Sequence, residues 1–322
     1  MPEWSFSLAN SLFKALVILH FILLSVLFLV WLERKVCARF QNRLGPMRVG
    51  RPHGWLQTLA DVLKLLVKED IIPESADRWL FRLAPVLVFV PSMMLFVVIP
   101  FGPGMAVYSL DVGLLYLVAV TSISVLGLIM AGWGSNNKWS VLAAMRTAAE
   151  VITYEVPLAL AVLGVAMLAG SLNLERIVEA QAGGRWFILV QPLGFVVYLI
   201  AMTAELRRTP FDLSEAESEL VAGYNVEYSA MRWSFFMLAE FGALVGFSGV
   251  AVTLYLGGWH GPWLPPVAWF LLKTFGLILF IMWVRWTLPR IRIDQLMDLG
   301  WKFLIPVALV NIAVTGVYLV VM

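Results

Sequence analysis

The sequence predicts an all-α, polytopic membrane protein with about eight transmembrane helices and one interfacial amphipathic helix, forming a single integral membrane domain over residues 1–322. Three observations carry this expectation. The 322 residues are 61% hydrophobic and only 14% charged, against roughly 45–50% and 25% in a soluble domain. The apolar residues gather in runs of about 20, the helical length that crosses ~30 Å of hydrocarbon. Between the runs, Lys and Arg alternate between dense and sparse, the asymmetry that orients membrane helices.

The runs lie near 11–32, 80–101, 111–132, 148–169, 187–205, 233–256, 264–286 and 302–321. The first is expected to stay in the mature chain, because it ends in Glu33-Arg34-Lys35 without a small-residue cleavage site. The segments 33–78, 133–147, 205–232 and 287–302 together hold seventeen Lys and Arg, whereas the opposite side has only Arg176 and Arg185. Those four segments are therefore expected in the cytoplasm, with both termini on the periplasmic side. An even number of spans agrees with that placement.

Between the first two spans, a short helix is predicted over about 54–71, ended by Pro73. Gln57, Asp61, Lys64 and Lys68 recur at steps of four, three and four and form one polar stripe. Leu59, Val62, Leu63 and Leu66 form the opposite face, a pattern typical of a helix in the membrane interface. Two readings stay open: a lipid-surface anchor, or a polar stripe lining the entrance of an amphiphile.

Composition also excludes several classes. Cys37 is the only cysteine, so no internal disulfide can form. His20, His53 and His260 with that thiol are too few and scattered for a metal or haem site of ordinary ligand count, and none is expected on this chain. A net charge of +2 offers no footprint for nucleic acid. No phosphate loop, HExxH pair or nucleophile elbow is present. Gly242 and Gly246 form a GxxxG, read as close helix packing.

Ionisable groups inside spans are expensive, at least ~2.5–3.5 kcal/mol each on insertion scales, so they usually face protein or water. Glu150 and Glu155 are expected at the start of the fourth span, Glu205 at the end of the fifth, Glu240 in the sixth and Lys273 in the seventh. They are candidates for a proton relay; otherwise they are solvated near the surface, or pair with Arg146, Arg285 or Lys273 to let the bundle pack. The segment 205–232 adds a second anomaly, with Glu205, Asp212, Glu215, Glu217, Glu219 and Glu227 against Arg207 and Arg208 up to Glu227. An acidic run is ordinarily a solvated loop. Pro210-Phe211 and Tyr224, interleaved with the acids, suggest instead a folded loop with apolar anchors.

These stretches resemble one family along nearly the whole chain. The resemblance rests on Glu33-Arg34-Lys35, Ala38-Arg39-Phe40-Gln41 and Arg43-Leu44-Gly45-Pro46, then Leu56-Gln57, Ala60-Asp61 and Lys68-Glu69-Asp70. It continues through Gly134-Ser135-Asn136-Asn137-Lys138, Thr153-Tyr154-Glu155, Thr209-Pro210-Phe211-Asp212-Leu213, the run from Glu215 to Tyr224, and Glu227-Tyr228. Pro289-Arg290, Asp294-Gln295 and Gly300-Trp301-Lys302 complete it. In this order the motifs resemble the membrane subunit beside the quinone chamber of respiratory complex I, the family of NADH-quinone oxidoreductase H subunits. Met47, the stretch Leu206-Arg207-Arg208, Glu150 and Ser122 depart from the family's usual residues.

The resemblance implies a non-redox subunit of a proton-translocating enzyme in the bacterial inner membrane. It implies the wall and lipid-side entrance of a quinone tunnel, with quinone as the bound substrate. Peripheral quinone-site and iron–sulfur subunits and other membrane-arm subunits would be its partners. Glu33, Arg34, Gln57, Asp61 and Lys64 would border chamber and entrance. Asp212, Glu215, Glu217 and Glu227 in the acidic loop, with Glu155, Glu205 and Glu240 in the bundle, would couple quinone reduction to proton movement. The alternatives are a stand-alone proton-coupled transporter, or the equivalent subunit of a membrane hydrogenase or deazaflavin dehydrogenase. The absence of repeated motifs between the two halves counts against the transporter and favours the quinone-reductase subunit.

Overall fold

A long apolar helix need not stop where the membrane does, and α1 (Glu3–Phe40) does not. In the computed structural model, which describes residues 3–321, its 38 residues extend well beyond ~30 Å of hydrocarbon at about 1.5 Å per residue. Glu33 and Arg34, expected in a connecting segment, are therefore held on a rigid helix. After a folded loop, α2 (Gln57–Val67) lies against α1 and the later helix α10 (Ala230–Tyr255). It is shorter than the predicted 54–71.

Asp77 caps α3 (Arg78–Met94) by accepting from the backbone N–H groups of Trp79 and Leu80. α4 (Gly113–Gly134) packs on α3, and α5 (Lys138–Ala169), capped by Asn137, packs on α4. With 32 residues α5 begins well before the predicted 148. Gly170, at φ +62°, ends it in the left-handed conformation that glycine adopts without strain. The short α6 (Leu174–Ala180) follows.

The fifth predicted span is not continuous. It breaks at Gln191 between α7 (Phe187–Val190) and α8 (Pro192–Glu205), and the two sides of the break meet at 70°. The physical reason is Pro192, which supplies no N–H to the ladder and starts a new helix at its first position. Among the described residues, seven helices are long and apolar enough to cross a membrane, eight if this bent pair counts as one.

The remaining elements are the one-turn α9 (Glu217–Leu220), the long α10, α11 (Pro266–Thr287), the short α12 (Ile293–Asp298) and α13 (Ile305–Val321), joined to α12 through a π-turn. α10 is the central helix and α1 and α13 are peripheral: 72% of the apolar window of α10 is buried, against 22% in each of the others. Gly242 and Gly246 face Met93 and Leu95, so the GxxxG is a close approach of α10 to the α3 end. No strand occurs among the described residues.

Candidate functional site: an ion quartet between a cleft beside α2 and buried acids

Consecutive residues on a helix point about 100° apart, and Glu33 and Arg34 use that divergence to serve two environments. Arg34 reaches outward to Asp61 of α2, Nη1 to Oδ2 at 2.5 Å, and Gln57 one turn earlier donates to Asp61 Oδ1 at 3.1 Å. These groups stand over a cleft of about 90 Å³ between α1, α2 and α10, lined also by Thr58, Val62, Trp233 and Met237.

The face of α2 that meets the bundle is thus Thr58, Asp61, Val62 and Leu65. The predicted apolar face divides: Leu59, Leu63 and Leu66 are exposed outward, while Val62 joins the cleft. The predicted polar stripe divides too. Gln57 and Asp61 look inward, Lys64 is exposed, and Lys68 lies past the helix end. The reason is α1: Arg34 gives Asp61 a partner that solvent or lipid headgroups would not hold in place.

Glu33 points the other way, into a buried quartet. Its carboxylate pairs with Arg208 at 2.9 Å and Arg285 at 2.5 Å, and Glu240 pairs with the same two bases at 3.0 and 3.5 Å. Two positive and two negative charges from α1, α10, α11 and the loop after α8 are therefore mutually neutralised, the condition under which burial of charge is tolerated. Arg208 is the largest side chain with under 2% exposure, and its guanidinium also lies over the ring of Phe241. Glu240 is thus an ion-pair partner, of Arg285 as one sequence alternative held and of Arg208 as none did. Arg146 instead pairs with Glu219 at 2.6 Å.

Lys273 does not join the acids. Its ammonium donates to the carbonyls of Leu256, Gly258 and His260 at 2.7, 3.0 and 2.7 Å, and it lies over Trp186. These carbonyls follow the end of α10, so the residue acts as a C-terminal cap rather than a relay group.

The segment after α8 is folded, with Phe211, Leu213, Ala216, Leu220 and Tyr224 buried. Its turn requires Gly223, at φ +61°, because a Cβ there would collide with the Ser214 carbonyl. Asp212 pairs with Arg290 at 3.2 Å, Glu227 accepts from Asn137 Nδ2 at 2.7 Å, and Glu215 accepts from the Tyr224 hydroxyl. The Glu217 side chain lies outside the described residues.

Burial, and next the charge of Glu240, push the Glu215 carboxyl up to about 7, despite the Tyr224 hydrogen bond and Arg207. Burial opposes the charge of Arg207, but Tyr224, Glu215, Glu205 and Glu150 around it outweigh that and hold its guanidinium above its ordinary value. Arg207 and Arg208, two bases at the end of an apolar run, thus organise the acids on either side. Sequence reasoning treated them only as a departure and as positive charge. The available signal was a doublet of arginines opening an otherwise acidic stretch.

Because α5 starts at Lys138, Glu150 and Glu155 sit inside the helix rather than at its start. Glu150 is 1% exposed, and among the described residues neither carboxylate oxygen has a hydrogen-bond partner. Glu155 accepts from Ser122 Oγ on α4 and lies within electrostatic reach of Glu205, which is itself buried with Oε2 unpartnered. Glu33 and Glu240 share Arg208 and Arg285, Glu240 acts electrostatically on Glu215, Glu215, Glu205 and Glu150 act on Arg207, and Glu155 acts on Glu205; Asp61 meets this set only through Arg34, the chain neighbour of Glu33.

A model of the NADH dehydrogenase family matches residues 13–316. The NADH-quinone oxidoreductase H subunit of Dehalococcoides mccartyi strain CBDB1 is 53% identical over 300 residues, covering 93% of this chain and 84% of the relative. That of Geobacillus kaustophilus is 49% identical over 320 residues, covering 98% and 96%. An H subunit of the same enzyme in Geobacter metallireducens is 48% identical over 325 residues, covering 98% of each. With the helical bundle, the match across both the cleft and the buried acids shows that this chain belongs to the NADH dehydrogenase family of NADH-quinone oxidoreductase H subunits.

Proposed function

We propose that this membrane subunit of an NADH-quinone oxidoreductase forms the wall and lipid-side entrance of the quinone chamber, and links quinone reduction to proton translocation through its buried carboxylates. The observation that supports this best is the divergence of Glu33 and Arg34. Adjacent residues of one helix connect a cleft at the lipid boundary, through Arg34 and Asp61, to the buried quartet through Glu33. The flexible substrate is an apolar chain with a polar head, and the cleft offers both apolar walls and a polar rim.

Reduction of a quinone consumes two electrons and two protons. In this reading the electrons come from iron–sulfur centres on peripheral subunits, and the chain itself supplies walls and charge. Arg34, Gln57 and Asp61 orient the headgroup as it passes, with Lys64 at the outer rim. The charge change on reduction acts on the acidic loop, where Asp212, Glu215, Glu217 and Glu227 respond. Glu215 interacts electrostatically with both Arg207 and Glu240, so its protonation alters both the quartet and the field at Glu205, Glu155 and Glu150. The chain lies in the bacterial inner membrane with both termini periplasmic, as its Lys and Arg distribution supports.

Asp61→Asn in the assembled complex tests the entrance. Its ion pair with Arg34 is solvent-accessible, with side chains 47% and 25% exposed, so its loss costs at most about 1 kcal/mol of stability. Assembly and donor oxidation by artificial acceptors are expected to persist, while quinone turnover or apparent affinity changes. Unaltered quinone kinetics would return α2 to the role of a lipid anchor.

A further inference from the structure

We infer that the basic end of α1 and the loop behind it bind the phosphate headgroup of an anionic phospholipid, at a site separate from the quinone cleft. A recess of about 390 Å³ opens there, lined among others by Trp31, Lys35, Arg39, Leu44, His53 and Trp55. It is a preformed shape. Trp31 stacks on Trp55 with ring centroids 4.1 Å apart, and its indole N–H donates to the His53 carbonyl at 3.1 Å.

Among the described residues the charge of the recess is not answered. From residue 34 to residue 60 the chain has six Lys and Arg and no Asp or Glu. Arg34 uses Asp61, but among the described residues no ion pair reaches Lys35, Arg39, Arg43, Arg48 or Arg51. Glu33, the nearest carboxylate in sequence, is turned inward to the quartet. Among the described residues Lys35 Nζ meets only the Met47 sulfur at 3.0 Å, a weak acceptor that leaves its charge unpaired, and the Trp31 ring at 5.9 Å.

The surroundings select a lipid over a soluble anion or an acidic peptide. Leu44, Trp55 and Leu56 are 71%, 51% and 52% exposed around the cations, and the outward leucines of α2 continue the same apolar border. Cations above exposed apolar and indole side chains match the headgroup level of a bilayer. A phosphodiester with acyl chains covers both kinds of surface; a carboxylate or phosphate alone covers only one. Basic recesses beside membrane helices are ordinary sites for anionic headgroups. Neither Lys35 nor Arg39 takes part in the proposed quinone path, so this site stands or falls independently of it.

The test is lipid retention by the full chain within its purified complex, delipidated in detergent and resupplied with phosphatidylglycerol or phosphatidylcholine. Phosphatidylglycerol is expected to be retained preferentially. The Lys35→Gln/Arg39→Gln variant should weaken retention about thirtyfold, and each single variant about fivefold, from about 1 kcal/mol per cation near the surface. Excess inorganic phosphate should not displace the lipid. Equal retention of both lipids, or retention unchanged in the variants, overturns the inference. Displacement by phosphate would overturn it in favour of a free-anion site. Binding seen only after peripheral subunits are stripped would overturn it in favour of a protein interface. Arg39 is exposed in the last turn of α1, so its single variant decides the matter if the double variant does not assemble.

Discussion

Removing the charge of Glu240 tests whether the quartet is a structural unit as well as part of a proton path. Glu240→Gln deletes one of two negative charges facing Arg208 and Arg285, contacts of 3.0 and 3.5 Å. Breaking a buried pair from one side costs about 3–5 kcal/mol, because it leaves an uncompensated charge. Glu33 still holds both bases, at 2.9 and 2.5 Å, which puts the expected loss near the lower end, about 3 kcal/mol. That corresponds to about 150-fold in the ratio of intact to dissociated complex. Arg285→Met alone leaves the site one charge negative and should also destabilise. Combining it with Glu240→Gln restores neutrality, with Arg208 and Glu33 still paired. The double variant should therefore be more stable, by at least about 1.5 kcal/mol, than the sum of the single losses implies. The assay is the fraction of intact complex after graded heating in detergent, with quinone-driven proton uptake measured on the same preparations. If Glu240 also carries protons, assembly returns in the double variant and proton uptake does not. Single losses that add within about 0.5 kcal/mol, or a Glu240→Gln complex as stable as the parent, would refute the quartet reasoning.

Three further expectations follow from the geometry. Because the fold favours the protonated form of Glu215, whose carboxyl is raised to about 7, the loop's stability is greatest at acid pH and is lost as pH rises through 7. Hydrogen exchange of residues 206–229, corrected for intrinsic rate, should show protection falling between about pH 4.5 and 7 and levelling off above that, and Glu215→Gln should flatten that profile; an unchanged slope would remove Glu215 from its cause. Lys273→Met leaves three carbonyls at the α10 end without their donor and should lower heat stability by about 3 kcal/mol with quinone KM unchanged. A change in KM without lost stability would contradict the capping role. For topology, Trp263 and Lys138 are exposed positions in different connections. In a Cys37→Ser background, Trp263→Cys should react with an impermeant thiol reagent from the periplasm and Lys138→Cys only from the cytoplasm; the reverse pattern inverts the orientation.

The sequence by itself determined what depends on local composition and length. Apolar runs must be helices in hydrocarbon, since no water satisfies their backbone groups, so the bundle and its approximate spans were legible. So was the family, carried by motifs spread from Glu33 to Lys302. Hydropathy located where chain is apolar, not where a helix ends, which is why α1 continues through Phe40 and α5 begins at Lys138. Pro192 was visible, but whether it would kink the fifth span or divide it, and at what angle, was not.

Only the tertiary structure decided which charges meet. Glu33 and Arg285 are 252 positions apart, and Glu33 and Arg208 are 175 apart, so no helical period relates them. The stripe on α2 illustrates the same limit. Its spacing correctly put Gln57 and Asp61 on one side, but which side faced the bundle was set by Arg34 on another helix. Likewise Lys273 reads as a costly intramembrane charge until the carbonyls that follow α10 are placed around it. A sequence records the expense of burying each charge; the partner that offsets it comes from distant chain brought together by packing, and only the fold identifies it.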